Sequence, residues 1–315
     1  MALMEDKNAS IIRGQMVPAP YGMPSSTLHG VLEYKAKMED ADKTAVIYRS
    51  SKLIFSQLNK KSNAMALVIR NTMKTFKCNT SSTIGLHLHP SDDVIILIFA
   101  ILKLGFSYLP LDPSYPLLRL RHMIGDANPV CVITESSKTG LQFTPNEVCS
   151  PTYLLLVDLQ KRMVEFDDNV PTETDQCQAN NTDAAACVLY TSGSTGVPKG
   201  VIKSHRNILS RCRALWDSFT FSKTEVVCWI ASLNFVDSTT QLFGFLLKGL
   251  PVVVADRSTV VNSELFIQFL NIHAITWILL VPTQLKTMLN VLRVKSADGK
   301  QILKSHIRCD RGRVD

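Results

Sequence analysis

Residues 189–201 read Leu189-Tyr-Thr-Ser-Gly-Ser-Thr-Gly-Val-Pro-Lys-Gly-Val201, and the rest of the chain is best understood from this stretch. Gly193 and Gly196 allow positive φ angles and a close approach of the backbone to a ligand. Lys199 adds a mobile cation, and Pro198 stiffens the chain beside it. Successive N–H groups in such a turn form an anion-binding nest. Four hydroxyl side chains fall within five positions: Thr191, Ser192, Ser194 and Thr195. The stretch therefore predicts a phosphate-binding loop.

The sequence around this loop distinguishes it from a Walker loop. A Walker loop needs Gly at position 198 and Ser or Thr at position 200, where this chain has Pro and Gly. Residues 184–189 and 200–203 both have strand-like patterns, so we expect the loop to join a hairpin and not to open a helix. The alternative is a Ser/Gly-rich surface turn, but glycines, hydroxyls and a lysine seldom coincide over so short a span.

Short apolar runs alternate with amphipathic stretches along most of the chain. The runs predicted as strands are 45–48, 52–55, 83–88, 129–134, 153–157, 225–231, 251–255 and 275–281. Ser56, Ser91, Ser204 and Ser238 are predicted to cap helices that follow strands or loops. Strands that alternate with helices predict an α/β fold with parallel sheets flanked by helices.

The composition sets limits on class and location. The chain has 315 residues, 46% hydrophobic and 19% charged, and its longest apolar run, 94–102, is too short for a membrane span. Eight cysteines without a C-x-x-C pair and an N-terminus without an apolar signal region predict free thiols and a cytoplasmic location. The +7 net charge lies mostly in residues 286–315, and no aromatic residue follows Trp277 to stack on bases. We expect neither a membrane nor a nucleic acid as partner.

Two motifs resemble those of a known superfamily. Residues 190–200 are similar to the phosphate-loop motif of the AMP-binding, adenylate-forming superfamily. Residues 102–116, Leu-Lys-Leu-Gly-Phe-Ser-Tyr-Leu-Pro-Leu-Asp-Pro-Ser-Tyr-Pro, resemble a structural motif of its peptide-synthetase adenylation domains. The resemblance implies the N-terminal part of the adenylate-forming fold, ending before the fold is complete. It divides the chain into an N-terminal extension (1–28), an incomplete adenylation domain (29–292) and a basic divergent tail (293–315).

A finer resemblance is to the Ebony-type β-alanyl-bioamine nonribosomal peptide synthetases. It rests on the segments 233–238, 241–244 and 280–283. Most amino-acid adenylation domains carry Phe-Asp-x-Ser here, and that Asp pairs with the substrate α-ammonium. This chain keeps Phe235 but has Val236 in the Asp position, and the acid moves to Asp237. The resemblance implies that Phe235 and Asp237 bind a substrate whose ammonium lies one carbon further away, such as β-alanine. The alternative is that Asp237 is a helix-capping acid.

The resemblance also implies cofactors and catalytic residues. The loop residues Thr191, Ser192, Gly193, Ser194, Thr195, Gly196 and Lys199 would hold the phosphates of ATP, with Mg²⁺ on the phosphate oxygens. Lys199 and His205 are the candidate catalytic residues, although a His at the start of a helix is as readily structural. No set of protein side chains is predicted to bind a metal, because His87 and His89 lack a third ligand at suitable spacing.

Several family motifs are absent from the 315 residues. Neither the downstream aromatic-Gly-x-Thr-Glu motif nor the Thr-Gly-Asp motif is found, and the regular pattern stops after Val294. Residues 309–315 are predicted to form neither a strand nor an amphipathic helix. We expect this chain alone to lack useful adenylation activity, while its full-length parent would couple β-alanine to a biogenic amine. The alternatives are an inactive truncated isoform that binds a nucleotide or a partner, and an acyl-CoA synthetase-like ligase.

Overall fold

The computed structural model describes residues 25–38, 40–73, 82–136, 141, 151–163, 181–191, 197–297 and 308–311. Its helices are α1 (Leu28–Lys37), α2 (Phe55–Met73), α3 (Asp92–Lys103), α4 (Leu117–Ala127), α5 (Leu156–Met163), α6 (His205–Ser218), α7 (Val236–Thr239), α8 (Arg257–Val261), α9 (Ser263–Ile272) and α10 (Pro282–Ala297). A π-helical turn, Thr240–Gly244, follows α7 directly. The strands are β1 (Thr44–Tyr48), β2 (Ser51–Ile54), β3 (Thr83–His87), β4 (Ser107–Pro110), β5 (Cys131–Thr134), β6 (Thr152–Leu155), β7 (Ala185–Thr191), β8 (Lys199–Ser204), β9 (Val227–Trp229), β10 (Val252–Val254), β11 (Trp277–Leu280) and β12 (Arg308–Arg311).

The described strands form two six-stranded sheets. Sheet I has the order β12-β11-β9-β10-β1-β2, and sheet II has the order β6-β5-β3-β4-β7-β8. Neighbouring strands run parallel except for the antiparallel pairs β1–β2 and β7–β8, each of which places a hairpin strand at the edge of its sheet. The mostly parallel pairing confirms the predicted α/β class.

One continuous apolar core extends over both sheets, and α3 lies at its centre. Every residue from Val94 to Leu102 is buried, so this apolar run is a core helix. One face of α2 is buried as well: Leu58, Ser62, Met65 and Ile69. Nine consecutive buried residues are possible because elements pack around α3 on all sides, so the helix needs no polar face.

Helix caps follow the sequence signals closely at two sites. Ser91 Oγ accepts a hydrogen bond from Val94 N at 3.3 Å, and the left-handed Gly105, with φ of 76°, follows the end of α3. Ser204 Oγ accepts from Asn207 N at 3.3 Å, while Asn207 Oδ1 accepts from Ser204 N at 3.0 Å. This reciprocal capping box fixes where β8 ends and α6 begins.

Three local predictions were wrong. Helix α7 begins at Val236 with Phe235 as its N-cap, so Ser238 lies inside the helix and its hydroxyl donates to Phe235 O at 2.7 Å. Residues 308–311 form β12, which pairs in parallel with β11 from Trp277↔Arg308 to Leu280↔Arg311. Main-chain hydrogen bonds hold an edge strand, so its sequence can lack an apolar pattern. Ser56 likewise lies within α2, which begins one residue earlier.

The cysteines in the described part of the chain are buried. Cys131, Cys187, Cys212 and Cys228 are free thiols, as predicted, and all four are buried. Burial raises the pKa of Cys187 and of Cys212 to about 12, so both stay protonated near neutral pH. Over the described ranges, no helix combines the length and apolarity that crossing a bilayer requires.

Candidate functional site

The predicted hairpin is present, and its base is well defined. Strands β7 and β8 pair in antiparallel register down to Thr191↔Lys199, and both of these residues are exposed. The loop residues Ser192, Gly193, Ser194, Thr195 and Gly196 lie outside the described part of the structure. Thr191 and Lys199 therefore face each other at the mouth of the loop, which is where a phosphate-binding turn would need a hydroxyl and a cation.

Helix α4 holds the base of the hairpin from one side. The buried Tyr190 donates its phenolic hydrogen to Asp126 Oδ2 at 2.5 Å, and His122 Nε2 lies 3.1 Å from Pro198 O. Burial and the hydrogen bond to Asp126 raise the pKa of Tyr190 far above its usual value. A Cβ at Gly200 would lie 3.1 Å from the Tyr190 ring, closer than an ordinary van der Waals contact, so a larger residue would require the ring to shift by a few tenths of an ångström. These contacts hold the base of the hairpin against α4.

A second feature, an open pocket of about 370 Å³, lies in sheet I at the carboxyl ends of β9 and β11. Its walls are mostly apolar, and four polar side chains face it. The apolar residues are Ile230, Phe235, Leu279, Leu280, Val281 and Pro282; the polar ones are Ser232, Asp237, Gln241 and Gln284. Ligand sites of α/β proteins commonly occupy this end of the strands.

Asp237 is the carboxylate of this pocket. It is half-buried in the first turn of α7, and within the described residues no hydrogen bond or ion pair engages its side chain. Phe235, the residue before the helix, is 60% exposed and covers one side of the pocket. The two predicted substrate-binding residues are thus brought together. Their carboxylate and ring line a cavity that could accept a small cationic ligand.

Gln241 builds the floor of the pocket, and it was not among the site residues predicted from the sequence. Its side chain is buried; Oε1 accepts from the main-chain N of Ile230 and of Ala231, both at 2.9 Å, and Nε2 donates to Leu279 O at 3.1 Å. It lies four residues after Asp237, on the same side of the helical segment. That spacing, with a polar residue inside an otherwise apolar run, was the available signal.

His205 lies away from both features. It is buried at the start of α6, its Nδ1 accepts from Leu28 N at 3.2 Å, and its ring packs edge-on against His29. Burial lowers its pKa to about 4. The extended strand β8 separates it from Lys199 by about 20 Å at roughly 3.3 Å per residue. The structure therefore does not bring together the two candidate catalytic residues, and this placement favours a structural role for His205.

The two histidines of β3 and the turn after it have partners nearby. His87 Nδ1 lies 3.2 Å from Thr134 Oγ1, and His89 Nδ1 lies 3.0 Å from Glu135 Oε2. Within the described ranges, no group of three or more His, Cys, Asp or Glu side chains is arranged to hold a metal ion. A cation bound beside the hairpin would therefore need most of its ligands from a bound phosphate group.

Comparison with known proteins places the chain in a family. A family model described as AMP-binding enzyme matches residues 32–309. The chain belongs to the AMP-binding enzyme family. The resemblance predicted from residues 190–200 and 102–116 is thereby confirmed.

Several relatives of the chain are nonribosomal peptide synthetases. The beta-alanyl-bioamine nonribosomal peptide synthetase ebony of Drosophila melanogaster is 31% identical over 290 residues, covering 88% of this chain and 32% of the fly protein. Bacitracin synthase 1 of Bacillus licheniformis is 30% identical over 252 residues, covering 79% of this chain and 4% of that synthase. The chain thus spans about a third or less of the length of these relatives.

Solved structures confirm the fold class. The N-terminal subdomain of Klebsiella oxytoca NpsA, in complex with 3-hydroxybenzoyl-AMSN, matches with a TM-score of 0.70 at 19% identity, covering 84% of this chain and 62% of that one. The nonribosomal peptide synthetase FmoA3 matches with a TM-score of 0.71 at 21% identity, covering 89% of this chain and 27% of that one. The chain has the fold of the N-terminal subdomain of an adenylation domain.

Proposed function

We propose that this chain supplies the ATP-binding and carboxylate-binding parts of an adenylate-forming ligase whose acid substrate is β-alanine. The observation that carries the proposal is Asp237, a half-buried carboxylate that lines an apolar pocket without a partner among the described residues. A carboxylate in such surroundings is stabilised by a cationic ligand. The ammonium group of an amino acid would form a charge-assisted hydrogen bond with it.

The position of the acid supports a β-amino acid. Val236, which stands where the resemblance places the acid of most adenylation domains, is 52% exposed, while Asp237 lines the pocket. The fly relative is named for β-alanyl-bioamine synthesis, which agrees with this choice. In a full-length parent, the activated β-alanine would be coupled to a biogenic amine.

The chemistry proposed is adenylation of the carboxylate. A carboxylate oxygen attacks the α-phosphorus of ATP in line, the bond from that phosphorus to the bridging oxygen breaks, and pyrophosphate leaves. Thr191 and Lys199 would contact the phosphates from the two sides of the loop, and Lys199 would balance the charge on the leaving pyrophosphate. Asp237 would hold the ammonium group so that the carboxylate points toward the loop. Mg²⁺, held largely by phosphate oxygens, would neutralise part of their charge.

Ligand binding to the Asp237→Asn variant tests the amine-binding role. Calorimetric titration of the chain with β-alanine, in the presence of Mg²⁺ and a non-hydrolysable ATP analogue, measures the Kd. We expect D237N to weaken β-alanine binding about tenfold or more, because a charge-assisted hydrogen bond is lost. Propionate, which lacks the ammonium group, should bind weakly and equally to both proteins.

Asp217→Asn is the matched control, because Asp217 is a carboxylate on the exposed end of α6 and lies outside the pocket. It should leave the Kd of β-alanine unchanged. Equal affinity of wild type and D237N for β-alanine would exclude the proposed ammonium contact. Propionate binding as tightly as β-alanine would instead favour the acyl-CoA synthetase-like alternative.

A further inference from the structure

The two parts of the candidate site belong to different sheets. The hairpin β7–β8 lies in sheet II, whereas the pocket lies at the ends of β9 and β11 in sheet I. Adenylation needs the carboxylate and the α-phosphorus to approach within near-contact distance, so the relative position of the two sheets must be fixed. A contact beside the pocket that joins the two sheets would fix this relative position.

Asp112 makes such a contact. It follows β4, the strand next to β7 in sheet II, and its side chain is 14% exposed. Oδ2 accepts a hydrogen bond from Ser232 Oγ at 2.8 Å, and Oδ1 accepts from Ser114 N at 2.9 Å. Arg257 Nη1 lies 3.8 Å from Oδ1. Ser232 itself lines the pocket, so one carboxylate links the strand next to the hairpin to the wall of the pocket.

Asn234 strengthens the same bridge. With its amide oriented to satisfy its surroundings, the side-chain nitrogen donates to Pro110 O at 2.9 Å and the side-chain oxygen accepts from Asp112 N at 3.2 Å. Residues 110–112, at the end of β4 in sheet II, and residues 232–234, which follow β9 of sheet I, are thus joined by three hydrogen bonds. The segment 232–234 runs directly into Phe235 and Asp237, so the bridge supports the chain that carries the pocket's carboxylate.

Asp112 is well suited to hold this contact in the ionised state. Burial by itself raises the pKa of the carboxyl group, but the hydrogen bonds from Ser114 and Ser232 and the charge of Arg257 outweigh it, so the net shift is downward. An ionised carboxylate accepts stronger hydrogen bonds than a neutral group would. The motif around residues 102–116, which the sequence indicated only as structural, therefore reaches the site.

We propose that Asp112 is a positioning residue that sets the spacing between the phosphate-binding hairpin and the amine-binding pocket. It touches neither ligand; it acts through Ser232 and the segment leading to Asp237. The role in ligand binding rests on the proposed function, whereas the bridge itself does not. The contact predicts that binding of a nucleotide and of β-alanine are coupled, because each ligand fixes one side of the same bridge.

The first test is amide hydrogen exchange of the wild-type chain and of Asp112→Ala, read over residues 230–237. We expect D112A to speed exchange in this segment about tenfold, because the hydrogen bond from Ser232 to the carboxylate is lost, while the bonds of Asn234 to main-chain atoms remain. Asp40→Asn is the matched control: Asp40 is also a buried carboxylate with a lowered pKa, held by Lys35 and Lys43, but it lies outside the pocket. D40N should leave exchange over 230–237 unchanged. Unchanged exchange in D112A would overturn the proposal.

A second measurement separates positioning from simple stabilisation. The Kd of β-alanine is measured with and without the ATP analogue AMPPNP, and the ratio of the two values gives the coupling. We expect D112A to reduce this ratio about fivefold while the Kd of AMPPNP alone changes less than about twofold. Equal loss of both affinities with the ratio preserved would show a structural role only and would overturn the positioning role.

Two further variants keep the test decisive. Should D112A fail to fold, Ser232→Ala removes the same hydrogen bond from the other side and should speed exchange in the same segment. Asp112→Asn keeps an acceptor oxygen for Ser232, so we expect an effect smaller than that of D112A. If the wild-type chain binds neither β-alanine nor AMPPNP, the proposed function fails, while the exchange data still decide whether the bridge exists.

Discussion

His205 and Asp237 are both polar residues near the start of a helix, and their environments give them different roles. His205 has a main-chain donor at Nδ1 and a buried ring, so its hydrogen-bonding and packing needs are met within the protein. Asp237 faces a pocket without a partner among the described residues. A side chain that is already satisfied has little capacity left for a ligand, whereas an unpaired carboxylate needs one. The difference depends on tertiary contacts, and motif matching alone does not show it.

The buried His205 should make stability depend on mildly acidic pH. Its folded pKa of about 4 lies below the usual 6.5, so the unfolded chain binds a proton first as pH falls. The contribution of the neutral, buried His205 to the free energy of unfolding is therefore present above pH 6.5 and is lost progressively as the pH falls toward 4. Linkage gives a loss of about 2 kcal/mol in the free energy of unfolding by about pH 5.

The comparison variant is His205→Asn, whose side-chain oxygen can replace Nδ1 as acceptor for Leu28 N. Urea unfolding of both proteins from about pH 7.5 to about pH 5 measures the difference. The variant should be less stable by a constant amount, because the ring is lost, but it should lack the extra acid sensitivity of wild type. Parallel pH curves would show that His205 does not titrate as its burial predicts.

Within the pocket, the sequence identified the carboxylate but not the groups around it. Phe235 and Asp237 were predicted because a motif fixed their positions, and the structure brings them together. Gln241 was missed because its importance lies in three main-chain partners, two just after β9 and one in β11, the last separated from it by 38 residues. Contacts at such separations depend on strand order and on the π-helical turn, neither of which local patterns specify.

At the element scale, local signals predicted most helices and strands. The caps at Ser91 and Ser204 succeeded because each hydroxyl bonds an amide three residues ahead, a contact that sequence spacing determines. Ser238 failed as a cap because Phe235 takes the N-cap position without any side-chain hydrogen bond. Strand β12 was missed because its pairing partner, β11, supplies the main-chain hydrogen bonds that its own sequence does not indicate.

The hairpin β7–β8 depends on its anchor to α4, and Tyr190→Phe tests that dependence. Loss of the hydrogen bond to Asp126 should cost about 1 kcal/mol, because the exposed carboxylate regains water. We expect the base of the hairpin to be held less firmly, which would speed hydrogen exchange over residues 185–204. We also expect the affinity for AMPPNP, measured by calorimetry, to be about threefold to fivefold weaker.

Tyr153→Phe is the control for this change. Tyr153 also donates its phenolic hydrogen to an oxygen, the main-chain oxygen of Leu141, but it lies on β6 at the opposite edge of sheet II. Y153F should lower stability by a similar amount and leave AMPPNP binding unchanged. Similar AMPPNP affinities in the two variants would mean that the anchor to α4 does not shape the phosphate loop.

On the scale of the whole molecule, the fold places the two proposed binding sites on different sheets. Sheet II carries the hairpin with Thr191 and Lys199, and sheet I carries the pocket with Asp237. Both features lie beyond the carboxyl ends of parallel strands, the edge at which α/β proteins usually bind ligands. The alternation of strands and helices predicted this layered class, but it could not predict which strand ends would face each other. That arrangement arises from packing between the sheets, including the contact between Asp112 and Ser232.

The separation of tasks leads to a prediction for the whole chain: it should bind ligands without catalysing their reaction. The 315 residues contain the proposed phosphate loop and the pocket, and their sequence has neither the aromatic-Gly-x-Thr-Glu motif nor the Thr-Gly-Asp motif of the family. Adenylation depends on groups that stabilise charge as it develops, and removal of even one such group commonly costs about a hundredfold in rate. Binding requires only complementary surfaces, so the chain should retain measurable affinity for AMPPNP.

The measurement is β-alanine-dependent exchange of labelled pyrophosphate into ATP, run beside calorimetric binding of AMPPNP. We expect binding without exchange above the level seen in the absence of β-alanine, with a full-length Ebony-type synthetase as the positive control. Clear β-alanine-dependent exchange, abolished in D237N, would refute the prediction of inactivity and would support the substrate assignment. Absence of both exchange and binding would count against the nucleotide-binding role, because Thr191 and Lys199 would then lack the function assigned to the loop between them.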